Sequence, residues 1–169
     1  MHLEQERQSH SQRRVPSLRG GFRFRAARYR SSEQAGILDY CRTQGISFFA
    51  YLVLEQGALS GKYSVDHPLP AGSARAATYN PVLPQLEVLT RAMREIGQRQ
   101  SASVAQVAIA WAIAKGTLPI IGVTQVAQVK DAAAALRLQL SAQEIHALDL
   151  LSTQAGVDTR GAWERAMHV

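Results

Sequence analysis

Apolar and polar positions along this chain change period in blocks, and glycine stands at most of the changes. "SSEQAGILDYCRTQG" (31–45) brings Ile37, Leu38 and Cys41 together behind a serine cap, and predicts a helix stopped at Gly45. "ISFFAYLVL" (46–54) follows at once and is apolar throughout, the pattern of a strand buried on both faces. "SVDHPLPAGSARAATYNPVLP" (64–84) carries Pro68, Pro70, Pro81 and Gly72, and predicts a long loop of the lid or binding type. "QLEVLTRAMREIGQRQ" then sets Leu86, Leu89, Met93 and Ile96 on one helical face. "SVAQVAIAWAIAKG" opens with Ser103 and Gln106 at the spacing of a capping box. Its stripe of Val107, Ala110, Trp111 and Ala114 suits close packing against another element. "TLPIIGV" predicts a second buried strand after the turn at Gly116, and a helix is expected over 126–136. A last helix starts at Ser141 with Glu144 three residues on. It turns Ile145, Leu148 and Leu151 to one side, with His146 and Asp149 directed away.

Repeated helix–strand–helix order with apolar strands argues an α/β fold with parallel strands. Residues 1–30 differ in texture: "GFRFRAARYR" alternates only briefly, enough for a short strand. The expected organisation is an arginine-rich arm over 1–30 and a folded domain over 31–169.

Charge follows the same division. The formal net charge is +6. Residues 1–30 hold eight arginines and two acids, so the whole excess lies there, and the remainder balances. With Phe22, Phe24 and Tyr29 the arm has the makings of a nucleic-acid contact, but the balanced remainder argues against nucleic-acid binding as the main role. A solvated tail accounts for the arm equally well. No apolar run reaches the roughly 18 residues of a membrane helix, and "MHLEQERQSHSQRR" has no signal-peptide core. One cysteine, Cys41, excludes an internal disulfide, so the expected location is cytoplasmic.

The set "AYLVLEQGALSGKY", "LPAGSAR" and "SVAQVAIAWAIAKGTLPIIGVTQVAQVKDAAAAL" resembles the C-terminal half of an aldo-keto reductase. "ILDYCRTQGISFFAY" resembles the family's sixth helix and seventh strand, and "LSAQEIHALDLL" its closing helix, so that the likeness runs over about residues 31–165. The resemblance implies a partial (β/α)8 TIM barrel and an NADP(H) cofactor, with no metal. It implies that Tyr51 stacks on nicotinamide, and that the loop through Leu52 and Leu54 cradles the pyrophosphate, where the family has Ser-Pro-Leu and this chain Leu52, Val53 and Leu54. Lys62 and Arg75 match basic positions that reach the cofactor. Gly122 and Thr124 fall at the adenosine phosphate, and Gln128 and Asp131 at the adenosine end. Arginine is common in the family at Thr124 and asparagine at Ala132, and both departures imply a weaker grip on the 2′-phosphate or a shifted preference between NADP and NAD.

Each of these residues has a plainer reading. Tyr51 can fill a barrel mouth, Lys62 can be a turn lysine, Gln128 can cap a helix, and Asp131 can complement a helix dipole. The functional reading gains from position: two strand–loop–helix units place glycine and polar groups after a strand, where barrels build sites.

The family's catalytic tyrosine, lysine, aspartate and histidine belong to the barrel's first half, and residues 1–30 offer no such set. A complete barrel needs about 250 residues. The expectation is therefore a C-terminal half preceded by about thirty residues of unrelated or frame-shifted origin, inactive alone. Open strand edges invite pairing with a second copy or with a complementary half barrel.

Overall fold

The computed structural model describes residue 33 and residues 36–157. The arm over 1–30, the serine cap and the short strand expected near Phe22 lie outside them. The order is α1 (Ile37–Thr43), β1 (Phe49–Tyr51), α2 (Ala74–Tyr79), α3 (Leu83–Arg99), α4 (Val104–Ala114), β2 (Leu118–Ile120), α5 (Val126–Ala134) and α6 (Ala142–Ala155). Short 3-10 turns at Glu55–Gly57, Asn80–Val82 and Ala135–Arg137 join them. β1 and β2 pair in parallel, Phe49 opposite Leu118, Ala50 opposite Pro119 and Tyr51 opposite Ile120.

Local chemistry sets most helix ends. Ser103 Oγ accepts from Gln106 N and Gln106 Oε1 accepts from Ser103 N, so the expected capping box starts α4. Ser141 and Glu144 do the same for α6. α1 ends beside Gly45, whose φ of +64° an L-residue adopts only at a cost.

α4 is the axis of the core. Val107, Ala108 and Trp111 face a helical cluster containing Tyr79, Leu86, Leu89, Met93 and Leu148. Ile109 and Ala112 face a second cluster with Leu38, Phe48, Ala50 and Val53 beneath the strands. A helix packed on both sides must be apolar nearly all round, and alanines let its neighbours approach closely. Ala114, expected in the packed stripe, is exposed.

Three expectations are corrected. The strands are three residues each and not buried on both faces: Phe49, Leu118 and Ile120 are about half exposed. β1 stops where Leu52 takes φ of 58°, and among the described residues no layer covers the face that these three side chains share. The proline-rich 64–84 segment is not all loop. Ser73 Oγ accepts from Ala76 N and starts α2, while the Asn80 side chain accepts from Leu69 N and donates to Leu69 O, bracing the segment. Asp149 does not point away from the core. Its carboxylate accepts from Trp111 Nε1 (3.0 Å) and from Lys115 Nζ, and Lys115 also donates to Glu33 (2.7 Å).

Among the described residues no helix is long and apolar enough to cross a membrane. No group of three His, Cys, Asp or Glu among them is placed to hold a metal ion.

Candidate functional site

The ends of β1 and β2 lie side by side, Tyr51 opposite Ile120, and the chain leaves both in the same direction. After β1 it winds into a tight coil: Leu52 O accepts from Glu55 N (2.8 Å), and Leu54 O accepts from Gly57 N and Leu59 N. Leu52, Glu55 and Gln56 have φ of 58°, 45° and 53°. Left-handed backbone costs an ordinary L-residue roughly 1–2 kcal/mol. Three within five positions persist only when surrounding structure holds them, and such strain concentrates at ligand sites.

The holding structure is α2. Tyr79 is fully buried, and its hydroxyl donates to Oε2 of the equally buried Glu55 (2.9 Å). One turn earlier, Arg75 Nη1 donates to Gln56 O (3.2 Å). Gly57, at φ +106°, lies under the Tyr63 ring, where an added Cβ would come within 3.3 Å.

Between this coil and the segment after β2 runs a cleft of about 340 Å³, lined by Leu52, Leu54, Gln56, Arg75, Gly122 and Thr124, with Val53, Gly57, Ile120 and Ile121. That is at the small end of the roughly 300–1,000 Å³ usual for ligand sites. Among the described residues that line it, Arg75 alone is charged. An added Cβ at Gly122 would meet nothing within 4 Å, so that stretch of wall is open.

Of the nine residues singled out in the sequence, Leu52, Leu54, Arg75, Gly122 and Thr124 come together here. Tyr51 is half-buried at the end of β1, beside the lining rather than in it. Lys62 is exposed, its Nζ 5.5 Å from the centre of the Tyr63 ring, and it does not line the cleft. Gln128 is spent locally: its Oε1 accepts from Thr124 N (2.7 Å), Thr124 Oγ1 (3.3 Å) and Gln125 N (3.1 Å). Asp131 is held by α4, its Oδ1 accepting from Gln106 Nε2 (2.7 Å). The sequence reading missed Gln56 and the Glu55–Tyr79 pair. Glutamate and glutamine give no signal for left-handed backbone, and the pair spans 24 positions.

Strained backbone beside the ends of two adjacent parallel strands, with Arg75 in the wall of the cleft, makes this the candidate site on an α/β framework. The Aldo/keto reductase family model matches residues 22–153, so the chain belongs to the aldo/keto reductase family. The match begins inside the segment separated above as an arm. The chain is 40% identical over 112 residues to the chloroplastic pyridoxal reductase of Arabidopsis thaliana, covering 66% of this chain and 30% of that protein. Among solved structures it resembles the glycerol dehydrogenase of Gluconobacter oxydans (TM-score 0.68, 19% identity), over 83% of this chain and 43% of that one. It also resembles an aldo-keto reductase complexed with NADPH (TM-score 0.50, 18% identity), over 82% of this chain and 36% of that one. The fold of these neighbours is a (β/α)8 barrel, of which the described residues form a segment. The chain spans about a third of the length of the curated relatives that it matches.

Proposed function

We propose that the cleft binds the phosphate-bearing part of a nicotinamide dinucleotide, the NADP(H) of the family resemblance or its unphosphorylated counterpart, and that this chain alone is not a working reductase. The observation that carries the reading is the strained 52–57 coil, pinned by α2 and walling the cleft together with Arg75, which donates to Gln56 O. The residues fit such a group. The open wall at Gly122 admits a bulky ligand, Arg75 supplies charge-assisted hydrogen bonds to phosphate, and Leu52, Leu54 and Ile121 offer apolar surface to a ring or ribose edge. Bound dinucleotide would supply hydride chemistry. The chain's own residues bind and orient it.

Titration of NADH against the full chain and Arg75→Ala tests this. Weak binding, with Kd near 1 mM (about −4 kcal/mol), is expected. Loss of a charge-assisted contact worth roughly 1.5–3 kcal/mol lowers affinity by about tenfold or more in Arg75→Ala. Binding that ignores Arg75 overturns the assignment of the cleft.

One observation favours a second role alongside. The half-exposed face of Phe49, Leu118 and Ile120 is apolar and belongs to a two-stranded sheet, which supports pairing with a second copy or a complementary half barrel.

A further inference from the structure

A second cavity, of about 170 Å³, lies between the 58–66 segment and α3, and shares no lining residue with the cleft. Part of its lining is apolar and buried: Ala58, Leu83 and Leu86. The polar groups come from both walls. The segment brings Asp66, and α3 brings Glu87, Thr90 and Arg94, which succeed one another along one helical face. Asp66, Glu87 and Arg94 are exposed, and among the described residues no ion pair engages any of the three. Thr90 is different, at 7% exposed. Its hydroxyl donates to Glu87 O (3.1 Å), and among the described residues nothing donates to it, so its acceptor lone pairs are left over.

Two carboxylates beside a buried acceptor suit a cation that carries several N–H donors, and the arginine suits an anion. Glu87 and Arg94 stand two turns apart, about 10 Å along the axis of α3. A ligand that meets both must hold its own charges apart. The space is small: at roughly 30 Å³ per water it holds about five or six waters, well below the roughly 300–1,000 Å³ of drug-sized sites.

We propose that this cavity binds a small amphoteric molecule, an ammonium and a carboxylate joined by a short apolar chain, as in an ω-amino acid. Asp66, Glu87 and the Thr90 hydroxyl receive the ammonium, Arg94 receives the carboxylate, and Leu83 and Leu86 lie along the chain between them. The proposal stands independently of the dinucleotide reading. Tyr63 connects the two places, because it lines this cavity while its ring lies over Gly57 in the wall of the cleft.

The experiment is an NMR-monitored titration of 5-aminopentanoate against the full chain, with pentylamine and pentanoate as probes that carry one charge each. Exposed ion pairs are weak, so saturable binding with a Kd of about 1–10 mM is expected. Amide shifts should centre on Tyr63, Thr90 and Arg94, with Gly57 following through the ring. Asp66→Asn, Glu87→Gln and Arg94→Ala, all at exposed positions, should each weaken binding by about two- to fivefold. Each single-charge probe should bind more weakly by a similar factor. Shifts that never saturate, that fall elsewhere on the chain, or that ignore all three substitutions overturn the site. A single-charge probe that binds as tightly as 5-aminopentanoate overturns the amphoteric ligand, and the proposal with it.

Discussion

Tyr79 and Glu55 meet through a 2.9 Å hydrogen bond in the interior, both fully buried and 24 residues apart. The bond ties α2 to the strained coil that walls the cleft, and Arg75 on the same helix reaches the adjoining residue, Gln56. A short helix thus fixes a backbone conformation that its own residues do not prefer.

Tyr79→Phe keeps the ring and removes only the hydroxyl, so a buried carboxylate is left short of a donor. The expected cost is roughly 1–3 kcal/mol, read as a lower urea midpoint with unchanged slope. Amide exchange should also quicken at residues 54–59, because the coil loses this tie to α2. A variant as stable as the parent with unchanged exchange would mean that the coil is held elsewhere.

The turn between α3 and α4 depends on Gly97. An added Cβ there would lie 2.4 Å from the Ala102 carbonyl oxygen, and Ala102 N donates to Gly97 O (2.8 Å), so the clash is with backbone already engaged. Gly61, at φ +77°, would place a Cβ 2.7 Å from the Val104 Cβ at the start of α4. Gly97→Ala and Gly61→Ala should each destabilise by roughly 1–3 kcal/mol. Thermal melts of the two variants measure this, and a raised midpoint in either would show that the backbone can shift at no cost.

Stability should also fall at acid pH through a nameable group. Glu144 accepts from Arg99 Nη2 (2.7 Å) and from Ser141 N (2.8 Å), and these contacts hold its carboxyl below the usual glutamate value of about 4.3. The unfolded chain therefore takes up the proton first as pH falls. The stabilisation is complete above about pH 5 and disappears as pH drops through the lowered folded value. Glu144→Gln should be less stable by about 1 kcal/mol at neutral pH, and the gap should close below about pH 4. Urea midpoints of both proteins across pH 3–7 would show it, and a gap constant with pH would assign the effect to packing.

The exposed sheet face predicts self-association. Phe49, Leu118 and Ile120 are 57%, 49% and 56% exposed on adjacent strands. Light scattering of the full chain should show a mass that rises with concentration, and Ile120→Ser should shift it toward monomer. A monomer over the whole range would leave this face without the proposed role.

How much of this was legible depended on the range of the interaction. The Ser103–Gln106 and Ser141–Glu144 boxes, the Leu86–Leu89–Met93–Ile96 face and the stop at Gly45 are local, and the structure has them all. The "ARAATY" helix was hidden by flanking prolines, although Ser73 before it was a readable cap. Asp149 was misplaced because its partners, Trp111 and Lys115, sit on another helix, which no pattern within α6 reveals. The strands are shorter than the apolar runs that hold them, because such a run does not say where the backbone turns over, as it does at Leu52. For the site, the family likeness pointed to nine residues and five line the cleft. Lys62, Gln128 and Asp131 lie off it because the Tyr63 ring, the α5 cap and Gln106 respectively lie beside or hold them.

The last prediction concerns turnover. Reducing a carbonyl takes a hydride and a proton for the developing alkoxide, so an acid must stand within hydrogen-bond reach of the carbonyl oxygen. The described residues of the cleft lining include no tyrosine, histidine, lysine or carboxylic acid. The Thr124 hydroxyl already donates to Gln128. Tyr51 stands at the end of β1 beside the lining, yet the resemblance gives it the role of a stacking surface. Binding without an acid orients a cofactor and does no chemistry. The purified chain should therefore leave NADH and NADPH absorbance unchanged in the presence of aldehydes, while still binding NADH in the titration above. Substrate-dependent oxidation that copurifies with the chain and is lost in Tyr51→Phe would overturn this, and would make Tyr51 the acid. Activity that appears only when a second protein is added would place the acid on that partner, and the apolar face of Phe49, Leu118 and Ile120 is where such a partner should be sought.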